Sequence, residues 1–67
     1  MKIRELRESA ALTTAQVADA LNVSKMAVYK WEKNIAFPGA DKLPVLADLF
    51  GCTIDALYGR EPPRAAG

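Results

Sequence analysis

Apolar residues recur along this chain at three- and four-residue spacing, in short segments separated by proline, glycine and asparagine. In the first segment Ile3, Leu6 and Ala10 lie at positions i, i+3 and i+7 with charged residues between them, which predicts a helix over roughly residues 2–10. No segment alternates between apolar and polar residues as a half-buried strand does. The pattern therefore predicts an all-α fold, a compact bundle of five short helices.

The second predicted helix, residues 14–21, has a clear start and a clear end. Thr13 and Gln16 fit a capping box, in which the Thr13 hydroxyl accepts from the Gln16 N–H and the Gln16 side chain bonds back. Asn22 ends the helix, because asparagine tolerates the left-handed backbone of a tight corner. The residues predicted to face inward are Val17, Ala18 and Leu21.

The third helix restarts almost at once after this corner. Ser24 is its predicted N-cap, and the helix ends near residues 33–34. Val28 and Trp31 lie on its inner face, where Trp31 is expected to anchor the core. A loop containing Pro38 and Gly39 follows.

The fourth helix contains a proline, which is harmless only in the first turn, where its missing N–H would have no partner. We therefore expect Asp41 to cap this helix, or else the helix to kink at Pro44. Thr53 caps a short fifth helix with Ile54 and Leu57 inside. Residues 60–67 are predicted to form a flexible tail, so that the domain spans residues 1–59.

Composition narrows the chemistry. The chain has 67 residues, no histidine, one cysteine and a formal net charge of +1. A single thiol, Cys52, is expected to be a small buried hydrophobe rather than a redox sensor, and it favours a reducing compartment. Without histidine we expect no metal site, no cofactor and no hydrolytic triad. The N-terminus is charged and the chain has no long apolar run, which indicates neither a signal peptide nor a membrane span. We therefore predict a cytoplasmic protein. The lack of histidine further predicts that it is not an enzyme.

Residues 12–32, LTTAQVADALNVSKMAVYKWE, resemble the helix-turn-helix of the Cro and phage-repressor family, also called the XRE type. The flanking segments IRELR at 3–7, LADLFG at 46–51 and TIDAL at 53–57 resemble the first, fourth and fifth helices of that family. The resemblance covers about residues 2–59 and implies a lambda-repressor-like domain whose helix-turn-helix proper is residues 14–33. The family's apolar positions are met by Val17, Ala18, Leu21, Val23, Val28 and Trp31.

This chain departs from the family pattern at a few positions. Ala11 and Asn22 stand where the family usually has glycine, and Ala11 is strained if its backbone is left-handed. Thr14 stands where the family often has a glutamine that reaches a phosphate, a contact that a hydroxyl can also make. Pro44 affects helix geometry more than function.

The resemblance implies that the third helix lies in the major groove, with its N-terminal residues against base edges. We expect base contacts from Lys25, Met26 and Tyr29, and a base or phosphate contact from Lys30. Exposed lysine is also an ordinary solvated residue, and methionine is often core filler. Tyr29 favours the DNA-reading interpretation, because an aromatic ring outside so small a domain has no core to join.

Phosphate contacts are expected from Thr13 and Thr14, where the amides and dipole of a helix start favour an anion, and from Lys33 and Asn34 in the following loop. The charges agree with this placement. Residues 24–35 carry three lysines against one glutamate, net +2, whereas residues 40–58 carry three aspartates against one lysine, net −2.

The resemblance also places Arg7 beside Glu32, at positions where the family has an ion pair. Such a pair would hold the first helix against the third and present Arg7 to a phosphate. The alternative is two unrelated surface charges.

The fifth helix is too short to bury Ile54, Leu57 and Tyr58 together, and the family's dimer contact often lies near it. A homodimer would place two reading helices roughly 34 Å apart on a near-palindromic operator. We therefore expect a sequence-specific regulator of transcription that binds double-stranded DNA, a repressor rather than an activator. Two alternatives stay open: a DNA-binding antitoxin with a toxin partner, and a protein-interaction module that does not bind DNA.

Overall fold

The computed structural model describes residues 1–60, which form five short helices and one 3-10 turn. The helices are α1 (Ile3–Ser9), α2 (Thr14–Leu21), α3 (Lys25–Glu32), α4 (Leu43–Phe50) and α5 (Ile54–Leu57), with the 3-10 turn at Ala40–Lys42 before α4. Strands are absent from these sixty residues. The prediction of an all-α fold with five helices is confirmed, and α2 has the predicted bounds.

Side-chain caps start three of the helices where the sequence predicts them. The Gln16 N–H donates to the Thr13 hydroxyl at 3.1 Å, and the Thr13 N–H donates to Gln16 Oε1 at 2.8 Å, which completes the capping box. The Ser24 and Thr53 hydroxyls each accept from the backbone N–H three residues later, at 3.1 Å. A cap of this kind stabilises a helix by about 1 kcal/mol, which matters for helices too short to persist alone.

The start of α4 differs from the prediction. Its N-cap is Lys42, without a side-chain cap hydrogen bond, and Asp41 lies inside the 3-10 turn. That turn is closed by the Lys42 N–H, which donates to the Gly39 carbonyl at 2.9 Å. The Asp41 carboxylate folds back over Gly39. A Cβ added to Gly39 would lie only 2.8 Å from the Oδ1 atom of Asp41. Asp41 as the N-cap is therefore wrong, whereas Pro44 does lie in the first turn, where its missing N–H leaves no bond unmade.

All five helices contribute to one hydrophobic core. Ile3, Val28 and Leu46 are fully buried, and Trp31 is buried as predicted. Cys52 is half-buried and packs against this core. The remaining core residues are Val17, Ala18, Leu21, Ala47 and Leu57.

Helix α5 buries only one of the two residues predicted to lie inside. Leu57 is fully buried, but Ile54 is 39% exposed. The helix has four residues, little more than one turn, so it turns only part of its surface toward the core. The prediction of a buried Ile54 is therefore wrong.

The two ends of the described chain are tied to the fold by backbone hydrogen bonds. The Lys2 N–H donates to the Leu57 carbonyl at 2.7 Å, which joins the start of α1 to the end of α5. The Arg60 N–H donates to the Asp55 carbonyl at 2.8 Å, so the bonding reaches one residue past the predicted domain end. Residues 61–67 of the predicted flexible tail lie outside the described residues.

Among residues 1–60, three residues other than glycine have a left-handed backbone: Ala11, Asn22 and Asn34, with φ of 58°, 57° and 60°. Asparagine tolerates this conformation, and Asn22 adopts it as predicted. Ala11 has no polar side chain to offset the clash of its Cβ with the backbone, so it carries the strain that the sequence indicated.

We predict that Ala11→Gly stabilises the domain by about 0.5–1 kcal/mol, because relief of the left-handed strain exceeds the added entropy of the unfolded chain. The matched control is Ala10→Gly. Ala10 has a φ of −86°, so glycine there relieves nothing and is expected to lower stability. Urea unfolding followed by circular dichroism measures both variants, and equal losses would contradict the strain at Ala11.

Candidate nucleic-acid interface

A tight corner at residues 22–24 sets the angle between α2 and α3. Asn22 takes the left-handed backbone that ends α2, and the Val23 N–H donates to the Ala18 carbonyl at 3.0 Å. Val23 packs against the core, and Ser24 starts α3 as its N-cap. The corner is therefore closed by backbone bonding, a cap and an apolar contact, which restrict the angle between α2 and α3.

Helix α3 has a buried face and an exposed face. Val28 is fully buried and Trp31 is 5% exposed on the inner side. The outer side holds two large apolar side chains, Met26 at 59% and Tyr29 at 50% exposure. The residues predicted to read or hold DNA from this helix and its C-cap, Lys33, are all exposed: Lys25, Met26, Tyr29, Lys30 and Lys33.

Arg7 and Glu32 form a largely buried ion pair between α1 and the end of α3. Arg7 Nε donates to Glu32 Oε2 at 2.7 Å, and the two side chains are 14% and 9% exposed. Arg7 Nη1 also donates to the Leu12 carbonyl at 2.9 Å, a contact that the sequence did not indicate. Two unrelated surface charges do not describe this geometry. Since two donors are engaged and little of the side chain is exposed, Arg7 has little surface left for a phosphate.

The ion pair also determines the charge of the outer face of α3. Glu32 is the only acidic residue of that helix, and its carboxylate is turned inward to Arg7. Lys25, Lys30 and Lys33 stay exposed. The Lys33 ammonium lies 5.7 Å from the centroid of the Tyr29 ring. The exposed face of α3 is therefore more positive than the net charge of the segment indicates.

The predicted phosphate-contact residues lie at the start of α2 and just after α3. Thr13 is exposed and Thr14 is half-buried. The Thr13 oxygen accepts a hydrogen bond within the cap, so its O–H is still able to donate to an anion. Asn34 is exposed, and its Oδ1 accepts from the Met1 ammonium at 2.9 Å.

Some features of this surface were missed from the sequence. The Met1 contact joins residues 33 positions apart, for which no local pattern gives a signal. Ile35 and Phe37, in the loop after α3, are 66% and 65% exposed. The sequence placed them in a loop but did not indicate that they leave an apolar surface beside the predicted phosphate contacts.

The three residues predicted to form the dimer contact are not equivalent. Ile54 and Tyr58 are 39% and 47% exposed, whereas Leu57 is fully buried in the core. Leu57 therefore offers no surface to a second copy, and its assignment to the dimer contact is corrected. The prediction is kept for Ile54 and Tyr58.

Residues 1–60 contain neither a group of metal-ligating side chains nor a membrane-spanning helix. No three histidine, cysteine, aspartate or glutamate side chains in that range are grouped as metal ligands. No helix in the same range is long and apolar enough to cross a bilayer.

Comparison with known proteins agrees with this geometry. A family model described as helix-turn-helix matches residues 3–57. The chain is 37% identical over 60 residues to the HTH-type transcriptional activator BcrR of Enterococcus faecalis, which covers 90% of this chain and 29% of the relative. It is 35% identical over 60 residues to the HTH-type transcriptional regulator AnsR of Bacillus subtilis (strain 168), covering 90% of this chain and 52% of AnsR. The chain thus spans about half or less of the length of these curated relatives. No solved structure matches it significantly.

We predict that Glu32→Ala lowers the free energy of unfolding by about 3 kcal/mol, because it leaves the largely buried Arg7 without its counter-charge. The matched control is Glu8→Ala. Glu8 pairs with Arg4 at 3.3 Å, but those side chains are 56% and 62% exposed, so the loss there is about 0.5 kcal/mol or less. Urea unfolding of both variants tests the contrast, and similar losses would contradict a structural role for the buried pair.

Proposed function

Because the chain belongs to the helix-turn-helix family, we propose that it binds double-stranded DNA sequence-specifically and regulates transcription, with α3 in the major groove. The observation that carries this proposal is the outer face of α3. It combines two exposed lysines, and a third at the helix C-cap, with two exposed apolar side chains, and the helix's single carboxylate is turned away to Arg7. A solvated surface helix needs no such segregation of charge.

The residues of the first turns of α3 are proposed to read base edges. Lys25 lies at the N-terminal end of the helix, where recognition helices come closest to the bases. Its ammonium suits guanine O6 and N7, and the exposed Met26 thioether suits a thymine methyl. Tyr29 offers its ring and hydroxyl one turn later, and Lys30 donates to a base or a phosphate.

Phosphate contacts are proposed on both sides of this helix. Thr13 and Thr14 lie at the N-terminus of α2, where free N–H groups and the helix dipole favour an anion. Lys33 and Asn34 follow α3 directly and are exposed. These contacts would fix the register of α3 on the duplex without reading sequence themselves.

The protein is proposed to act as a homodimer through Ile54 on α5 and Tyr58 directly after it, which leave apolar surface exposed. A twofold dimer reads an inverted repeat, which adds the specificity that one eight-residue helix lacks. We propose repression, by occlusion of a promoter in the cytoplasm. One relative is named an activator, which makes activation the competing outcome in a promoter assay. No feature of residues 1–60 favours a toxin partner, so the antitoxin alternative is not proposed.

The experiment that tests the function is selection of duplex DNA from a random pool, followed by affinity measurements over a salt series. We expect the selected sequences to contain an inverted repeat. The logarithm of the binding constant should fall linearly with the logarithm of the salt concentration, with a slope of about −0.9 for each phosphate neutralised. Weak binding without sequence preference would overturn the proposal and favour the protein-interaction alternative.

We predict that Lys25→Ala relaxes the preference at one position of each half-site, with a loss of about 1–3 kcal/mol on the selected operator and less on other DNA. Lys42→Ala is the charge-matched control. It removes a lysine from the 3-10 turn before α4 and is expected to leave the preference unchanged. Equal effects of the two variants would show that Lys25 contributes charge alone.

A further inference from the structure

The contact between Lys33 and Tyr29 indicates a role for Lys33 other than the phosphate contact proposed above. The two residues lie four positions apart at the end of α3, and the Lys33 ammonium is 5.7 Å from the centre of the Tyr29 ring. Cations at this distance over an aromatic face are attracted by the ring quadrupole. Lys33 is exposed and free to extend into solvent, yet its charge lies over the ring.

Helix geometry explains why Lys33 reaches this ring. Side chains on an α-helix lean toward the N-terminus, so a residue at i+4 covers the turn below it. Glu32, the other neighbour from the next turn, is drawn away to Arg7. Among the described residues, the Lys33 ammonium is therefore the charged group placed over the Tyr29 ring.

We propose that Lys33 is a specificity-determining positioning residue, which holds the Tyr29 ring in one orientation for contact with a base. This inference rests on the proposed function and changes the part assigned to Lys33 within it. Tyr29 is half exposed, and without a partner its ring would adopt several rotamers that binding must then restrict. A cation over one face reduces that freedom before DNA arrives and leaves the hydroxyl and the other face for the base.

A phosphate contact and a positioning contact have different consequences. Loss of a phosphate contact weakens binding to all sequences about equally and reduces the salt slope by about 1. Loss of a positioning contact acts through Tyr29, so it lowers the preference for the operator over other DNA and has no further effect once the ring is removed.

The test is a double-mutant cycle on the full chain with Lys33→Gln, Tyr29→Ala and the double variant, using the selected operator and a scrambled duplex. We expect Lys33→Gln to reduce the operator preference about twofold to fivefold, the effect of losing an exposed cation–π contact, and to add little to Tyr29→Ala. Lys33→Arg should restore the preference, because a guanidinium also lies well over an aromatic face. An equal loss on both duplexes, with a lower salt slope, would overturn the proposal while leaving the proposed function standing.

An NMR measurement on the free protein further distinguishes a positioning contact from a phosphate contact. In the free protein, the Lys33 side-chain methylene protons should be shifted upfield in the NMR spectrum by the Tyr29 ring, and Tyr29→Ala should abolish the shift. Unshifted Lys33 resonances would overturn the positioning role whatever the DNA results. If the unmodified protein showed no operator preference, the proposed function would fail and the inference with it.

Discussion

The orientation of α3 depends on one largely buried charged contact, between Arg7 and Glu32. Arg7 donates both to Glu32 Oε2 and to the Leu12 carbonyl, so a single side chain holds α1, the segment before α2 and the last turn of α3. Helices of seven or eight residues do not persist alone, and an apolar core specifies direction only loosely. An apolar pair of similar volume would serve stability about as well. What the ion pair adds is a defined orientation of α3. Its hydrogen bond forms only when Glu32, in the last turn of α3, faces Arg7.

The same contact separates the charges of α3. With Glu32 turned inward, the exposed face keeps its lysines while the glutamate charge is neutralised by an arginine of another helix. The net charge of +1 therefore says little about the field near α3. Within about one Debye length of α3, nearby charged groups dominate the electrostatic potential that an approaching polyanion experiences. A nearly neutral chain is thus compatible with DNA binding, provided that its opposite charges lie on different faces.

Features determined by neighbouring residues were predictable from the sequence. The capping box follows from the side chains of Thr13 and Gln16, which bond within three residues of themselves, and the left-handed Asn22 follows from the tolerance of asparagine for that backbone. The exposed face of α3 follows from helical periodicity. Asp41 was mispredicted because the chain enters α4 through a 3-10 turn closed on Gly39, and a capping aspartate in an ordinary helix start gives the same local pattern. Ile54 was mispredicted because a helix of four residues has too little periodicity to define a face.

Contacts between distant residues could not be predicted, and they connect the proposed functional surfaces. The Lys2 N–H bonds to the Leu57 carbonyl at the end of α5, while the Met1 ammonium bonds to Asn34 just after α3. Residues 1 and 2 thus join the helix proposed to carry the dimer contact to the loop proposed to carry phosphate contacts. In a dimer built through α5, the spacing of the two α3 helices depends on how rigidly α5 is held to the rest of each domain. Leu57 supplies the apolar part of that attachment, and these two hydrogen bonds extend it to the loop after α3 that is proposed to contact phosphates.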